Sequence, residues 1–240
     1  MDMKDIFGAI ASGVLGQTGQ AQGGSTGVAS QTMTYGSHVY TVSGEINVND
    51  SSTGKRDKPT ASVSFTNVPS SYEEFEAVYN GLLGKSIQGC AAMLPMAYEL
   101  YARDEATGEK CLGLLCNSNV TKVNITRILK TKIVASKYSP ANDPYIQRYM
   151  PAALLKGASA GNGYRPARPY TVEMCASVNR PYQMAQGTDY YIYIIADGWD
   201  TNQRQVEILK SNRSEMYKVF NCTSTYTQCK IYSGQWDGLE

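Results

Sequence analysis

Between Tyr170 and Ile231, strand and turn signals alternate without interruption, and this run limits what the chain can fold into more than any other. Tyr170, Val172, Met174, Ala176 and Val178 fall on one face at period two, with Thr171, Glu173 and Ser177 on the other, the pattern of a half-buried strand. After a break marked by Pro181 and Gly187, residues 190–196 are almost entirely apolar or aromatic, which predicts a central strand covered on both faces. Asp197-Gly198-Trp199-Asp200-Thr201-Asn202 then predicts a turn, because Asp-Gly and Asn tolerate positive φ. Gln205 to Leu209 and Met216 to Phe220 resume the alternation, so four strands with short connections read as an antiparallel meander. Residues 228–232 are expected to add a short edge strand.

Helical signals precede the meander. Ser71 can cap a helix while Glu74 reaches back from its third position, and Tyr72, Phe75, Val78, Tyr79 and Leu82 form one apolar face that runs to Gly84. A second helix is expected from Ser86 to Arg103, with a kink or a break into two at Pro95. Residues 105–116 and 121–134 read as short helices, although the Val, Ile and Thr content of 120–134 suits a strand equally. Nearer the start, Thr34 to Val48 and Ala61 to Phe65 alternate on either side of a turn at Asn49 to Gly54. The expected fold is α+β: a helical segment (about 70–134) packed on an antiparallel meander (about 170–231), with an N-terminal strand pair. Residues 31–238 form a single domain on this reading, with 1–30 a flexible tether and 239–240 an expression-vector scar.

A net charge of +1 gives no electrostatic case for nucleic acid as a partner. The one local exception, Lys122, Arg127, Lys130, Lys132 and Lys137, reads as a solvated helix face. The 18 Tyr against 4 Phe and 2 Trp favour half-exposed sheet faces and wet binding surfaces, since Tyr joins apolar area to a polar tip.

Histidine count and glycine spacing narrow the chemistry that the sequence supports. His38 is the single histidine, so sites with two or more imidazoles are excluded by count, and a Ser-His-Asp or Cys-His hydrolase would have to use it as base. Gly161-Asn162-Gly163 does not extend to a dinucleotide fingerprint, because Pro166 takes the third glycine's place. The six cysteines lack metal-ligand spacing, and neither a metal nor a cofactor is expected. Cys222 and Cys229 flank a Thr/Ser-rich turn and are expected to face each other across a hairpin, as a disulfide if the compartment is oxidising. Asp197, Asp200, Glu173 and Glu207 lie on or near the meander and supply the acids for the alternative reading, a carboxylate-dependent hydrolase of glycans or peptides.

A series of ordered signatures runs through the chain. They are Glu73-Glu74-Phe75-Glu76-Ala77-Val78-Tyr79-Asn80, Gly108-Glu109-Lys110-Cys111-Leu112, Leu155-Lys156-Gly157-Ala158, Asn162-Gly163-Tyr164, Pro169-Tyr170-Thr171-Val172-Glu173, and Arg204-Gln205-Val206 with Tyr217-Lys218-Val219. On these the chain, over about residues 72–231, resembles a bacterial family of secreted or lipid-anchored proteins classed as a domain of unknown function. The resemblance implies the order of the fold and an extracytoplasmic placement, in the periplasm or at the cell surface. It lends no activity and no catalytic residue. With the Gly-, Ser-, Thr- and Gln-rich residues 17–31 read as a tether to the cell envelope, the leading expectation is a non-enzymatic module that binds a protein or a glycan. Its surface is expected at the Gly/Pro-rich loop carrying Tyr164, Arg165 and Arg168 and at the Trp199 turn.

Overall fold

The computed structural model describes residues 30–48, 58–134, 146–234, 236, 238 and 239. The expected turn at Asn49 to Gly54, residues 1–29 of the expected tether, Lys137 and Glu240 lie outside the described residues.

One antiparallel sheet organises the molecule. Strands β1 (Gln31–Tyr35), β2 (His38–Gly44), β3 (Ala61–Phe65), β4 (Tyr170–Ala176), β6 (Gly187–Ile195), β7 (Gln203–Ser211) and β8 (Tyr217–Asn221) pair in that order. The short β5 (Tyr182–Met184) pairs with β6 beyond the end of β4, so β4 and β5 lie end to end along one edge of β6. The N-terminal strands thus extend the meander through the β3–β4 pairing, in which Val63 faces Val172. Each strand separates its residues by parity. Tyr40, Val63, Val172, Ile192, Ile194 and Val206 are buried in the core, while the intervening positions keep partial exposure.

Among the described residues, the five α-helices all fall between β3 and β4 in the chain. Helix α1 (Tyr72–Gly81) begins where the Glu74 amide donates to the Ser71 hydroxyl at 3.3 Å, and it presents Phe75, Val78 and Tyr79 to the interior. It stops at Gly81, short of Gly84, and a 3-10 turn over Leu83–Lys85 follows. Helix α2 (Ile87–Arg103) is capped by Ser86 and buried from Gly89 to Tyr101 all round, as a helix in the middle of a core must be. Pro95 does not break it in two. A mid-helix proline costs about 3 kcal/mol, and enclosure of Met93, Leu94, Met96, Ala97 and Tyr98 on every side outweighs that.

Asp104 caps α3 (Glu105–Leu115) by accepting from the Thr107 amide at 2.9 Å. Helices α2 and α3 touch closely, since a Cβ on Gly108 would stand 2.2 Å from the Tyr101 Cα, and only glycine fits there. Ser118 caps α4 (Asn119–Lys132), so residues 119–132 are helical and the strand alternative for them does not hold. Ile125 and Leu129 face inward, while Lys130 lies outside, 3.4 Å from Glu105. The four-residue α5 (Met150–Ala153) precedes the Gly/Pro-rich loop.

Two expectations for the end of the chain are overturned. Residues 228–232 form no strand, because their main-chain groups are taken elsewhere: the Lys230 amide donates to Gly198 O, the Cys229 amide to the Gln147 side chain, and the Tyr232 amide to the Tyr149 hydroxyl. Cys222 and Cys229 are both free thiols and form no disulfide. A 3-10 turn at Thr223–Thr225 directs Cys222 toward the Tyr98 hydroxyl, 3.5 Å away, whereas Cys229 meets the Gln147 Oε1 at 3.2 Å. Leu239 is buried, and its carbonyl accepts from Arg103.

Candidate functional site

The Gly/Pro-rich loop and the Trp199 turn do come together, but as packing. Tyr164 is fully buried, stacks on Tyr149, and donates its hydroxyl to Lys230 O at 2.6 Å and to Gly198 O at 3.3 Å. Trp199 is 5 % exposed, and its indole N–H donates to Thr227 O at 3.2 Å. Over its ring stands the Arg204 guanidinium, 5.1 Å from the centroid, with Thr201 and Ser224 carbonyls accepting from it. Tyr164 is therefore closed off from a ligand, and Trp199 offers only an edge, because the loops use large buried rings to seal the end of the sheet. Arg165 and Arg168 stay exposed, Arg168 with its guanidinium 5.5 Å from the Tyr170 ring. What the turn leaves open is a shallow cavity of about 750 Å³ lined by Trp199 together with Ser159, Asp197, Asp200, Gln203 and Lys230, among others.

Gln203 connects this cavity to the bare face of the sheet. Strand β6 sends Ile192 and Ile194 into the core and leaves Tyr191, Tyr193 and Ile195 partly exposed on the opposite side. Within 190–196, residues 192–195 are paired on both edges, but the described residues cover one face only, a correction to the two-sided burial expected from their apolar content. Across the β6–β7 pairing Ile195 faces Gln203, Tyr193 faces Gln205, and Tyr191 faces Glu207. All six are half-exposed. Side chains of β2, β3 and the start of β4 pave the rest of the face with Thr41, Ser43, Ser62, Ser64 and Thr171, also half-exposed. The result is a strip of aromatic, amide and carboxyl groups beside a hydroxyl floor.

At the β5 end the strip closes over. Asp189 faces Leu209 on β7 and Tyr182 on β5. Leu209 and Cys175 are buried yet stand apart from the main core, so they belong to this side of the sheet. Burial chiefly pushes the Asp189 carboxyl up to about 6, with Glu207 adding to the rise and Tyr191 opposing it. The Tyr191 hydroxyl is pushed up to about 12, by burial and then by the Asp189 charge.

The remaining acids are engaged singly. Glu173 pairs with Lys156 at 2.6 Å, Asp200 lies 3.9 Å from Lys230, and Glu207 accepts from the Asn221 amide at 3.0 Å. His38 is structural: its Nδ1 lies 2.6 Å from Glu74 Oε1. The same buried carboxylate accepts from the Tyr40 hydroxyl and from the Ser70 amide and hydroxyl. Burial works against ionisation of Glu74, but hydrogen bonds from Ser70, Tyr40 and His38 outweigh it and hold the pKa below the usual carboxylate range. Burial raises the thiol pKa of Cys90, Cys111, Cys116, Cys222 and Cys229, so none of these is an activated nucleophile. Among the described residues, no group of three or more His, Cys, Asp or Glu side chains is placed to hold a metal ion.

Tyr191 and Tyr193 escape a sequence reading that counts Tyr with the aliphatic residues. The signal that marks them is Ile at 192 and 194 alternating with Tyr at 191 and 193, matched by Gln205 and Glu207 at the same parity. No curated protein and no solved structure matches the chain. The model of the family described as "Domain of unknown function (DUF6935)" matches residues 67–233. That span takes in α1, the whole helical layer and every strand of the open strip, and the chain therefore belongs to the DUF6935 family.

Proposed function

We propose that this domain is a non-catalytic module that binds a glycan along the open face of its sheet, outside the cytoplasm. The observation that carries the reading is the strip itself, where Tyr191 and Tyr193 stand half-exposed opposite Glu207 and Gln205 on a face that the core helices leave bare. A sugar offers hydroxyl edges and apolar C–H faces. Tyr rings suit the second, while amide, carboxyl and hydroxyl groups suit the first. From Gln203 to Leu209 the strip runs about 20 Å at the usual strand rise of about 3.3 Å per residue, and it is open at the Gln203 end. A polymer can lie along it.

A protein interface of ordinary size needs an apolar centre with aromatic anchors. Here the exposed large hydrophobic residues are spread over several elements, with Val120 and Val123 on α4, Tyr35 on β1, Val178 and Tyr182 around the β4–β5 connection and Ile231 near the chain end. Of the acids named for a hydrolase, Glu173, Asp200 and Glu207 are held in separate contacts with Lys156, Lys230 and Asn221, and Asp197 and Asp200 share a cavity that is shallow rather than a deep cleft.

Extracytoplasmic placement rests on the composition of residues 17–31 and on the resemblance noted from the sequence. No described helix is long and apolar enough to cross a membrane, so envelope association would run through the tether. Mass spectrometry of the protein from its native host checks this: a chain processed upstream of the domain and recovered with the envelope supports it, and an unprocessed chain in the cytosol overturns it.

Glycan-array screening followed by calorimetric titration tests the binding claim. Tyr193→Ala and Gln205→Ala should each weaken binding of an array hit about tenfold, equivalent to about 1.4 kcal/mol, with circular dichroism unchanged. Affinity indifferent to both substitutions, or an array without a hit, would overturn it.

A further inference from the structure

Asp189 is 1 % exposed, and neither carboxylate oxygen has a hydrogen-bond partner of normal geometry. Strand parity puts it on the same side of β6 as Tyr191 and Tyr193, at the β5 end of the strip. Glu207, one residue pair along, brings a second carboxylate close enough to disfavour ionisation of the first. No described Lys or Arg forms an ion pair with either. A buried carboxylate whose nearest donors, Tyr191 among them, fall short of full hydrogen-bond geometry is costly to keep charged, and it repels a second one beside it. A cation brought to the site relieves both penalties at once.

Two aromatic residues frame the acids. Tyr182 faces Asp189 across the β5–β6 pairing and is 63 % exposed, while Tyr191 faces Glu207 and its hydroxyl senses both charges. Strand β5 has three residues and pairs with β6 alone, so Tyr182 has room to move aside and open a path to Asp189. Carboxylates with Tyr rings beside them offer an alkylammonium group charge compensation, acceptors for its N–H donors and aromatic surface. Divalent metals ask for more oxygen ligands than these two acids provide.

We propose that Asp189 and Glu207, framed by Tyr182 and Tyr191, form a subsite for a protonated primary amine carried by the bound glycan, so that the preferred ligand contains an amino sugar with a free amine. This rests on the reading of the open face as a glycan-binding strip. The ammonium occupies the acidic end, while the uncharged part of the ligand runs along Tyr193 and Gln205 toward Gln203.

Calorimetric titration of the full chain with a glucosamine oligosaccharide and with its N-acetylated counterpart of equal length separates the two layers of the proposal. The wild type should bind the free amine at least about tenfold more tightly, since each 1.4 kcal/mol is a factor of ten. Asp189→Asn should bring that ratio close to one, with binding of the N-acetylated sugar unchanged, and Glu207→Gln should lower the ratio in part. Glu207→Gln, whose side chain is half-exposed, keeps the test decisive if Asp189→Asn fails to fold. Equal affinity of the wild type for the two sugars, or a preference that survives in both variants, overturns the amine subsite and leaves the glycan strip standing. Failure of both sugars to bind overturns the amine subsite, while the glycan strip is overturned only by an array without a hit or by a hit indifferent to Tyr193→Ala and Gln205→Ala. Binding of a lysine-rich peptide in preference to either sugar overturns the assignment of the amine to a glycan.

Discussion

Tyr164 lies flat on Tyr149, ring centroids 4.4 Å apart and planes 8° from parallel, and its hydroxyl reaches Lys230 O at 2.6 Å. This stack ties the Gly/Pro-rich loop, the approach to α5 and the C-terminal run into one plug at the end of the sheet. Tyr164→Ala should therefore cost about 3 to 5 kcal/mol, as expected for removing a fully buried ring. Tyr164→Phe should cost about 1 to 2 kcal/mol by taking the hydroxyl donor from the Lys230 carbonyl. Urea unfolding checks both, and neither substitution should remove a ligand contact directly.

Glu74 collects donors from His38, Tyr40 and Ser70, so Glu74→Ala leaves several buried polar groups without a partner and should cost at least about 3 kcal/mol. The sign with pH follows from its depressed pKa. Its contribution is present above the pKa of an unfolded glutamate and is lost as pH falls through the lower folded value. Unfolding midpoints measured from pH 7 down to pH 3 should fall more steeply for the wild type than for Glu74→Ala.

Asp189 acts in the opposite direction. Its folded pKa of about 6 stands above the value of an unfolded aspartate, so the folded state holds its proton longer. It leaves stability untouched below about pH 4 and takes away on the order of 3 kcal/mol as pH rises to above 6. Asp189→Asn should be more stable than the wild type at pH 7.5, with the gap closing by pH 4. A gap of the same size at both pH values would show that the carboxyl is not held protonated.

All six cysteines are free and buried. Ellman titration should find little reaction in the native protein and six thiols after denaturation without reductant. Four thiols would restore a disulfide, with Cys222 and Cys229 the first pair to examine.

Local rules made much of the fold legible. The caps at Ser71 and Ser86, the 3.6-residue periodicity of α1, and the period-two runs of β4 and β7 need only neighbours in sequence. What the sequence hid depends on distant partners. Pro95 continues its helix because the surrounding core holds it, and residues 228–232 are claimed by Gln147, Tyr149 and Gly198 before any strand can take them. The site was displaced for a similar reason. Tyr164 and Trp199 sit in loops and look available, but the end of the sheet requires their rings, whereas Tyr191 and Tyr193 sit in a strand that looks buried and keep one face toward solvent.

Amide chemical-shift mapping during titration with a glycan identified by array is the most direct test of the open face as the binding surface. The account predicts shifts concentrated in residues 188–195 and 203–209, with the amides of α2 and α3 unmoved. Shifts confined to the helical layer, or to the Arg165 and Arg168 loop, would contradict it.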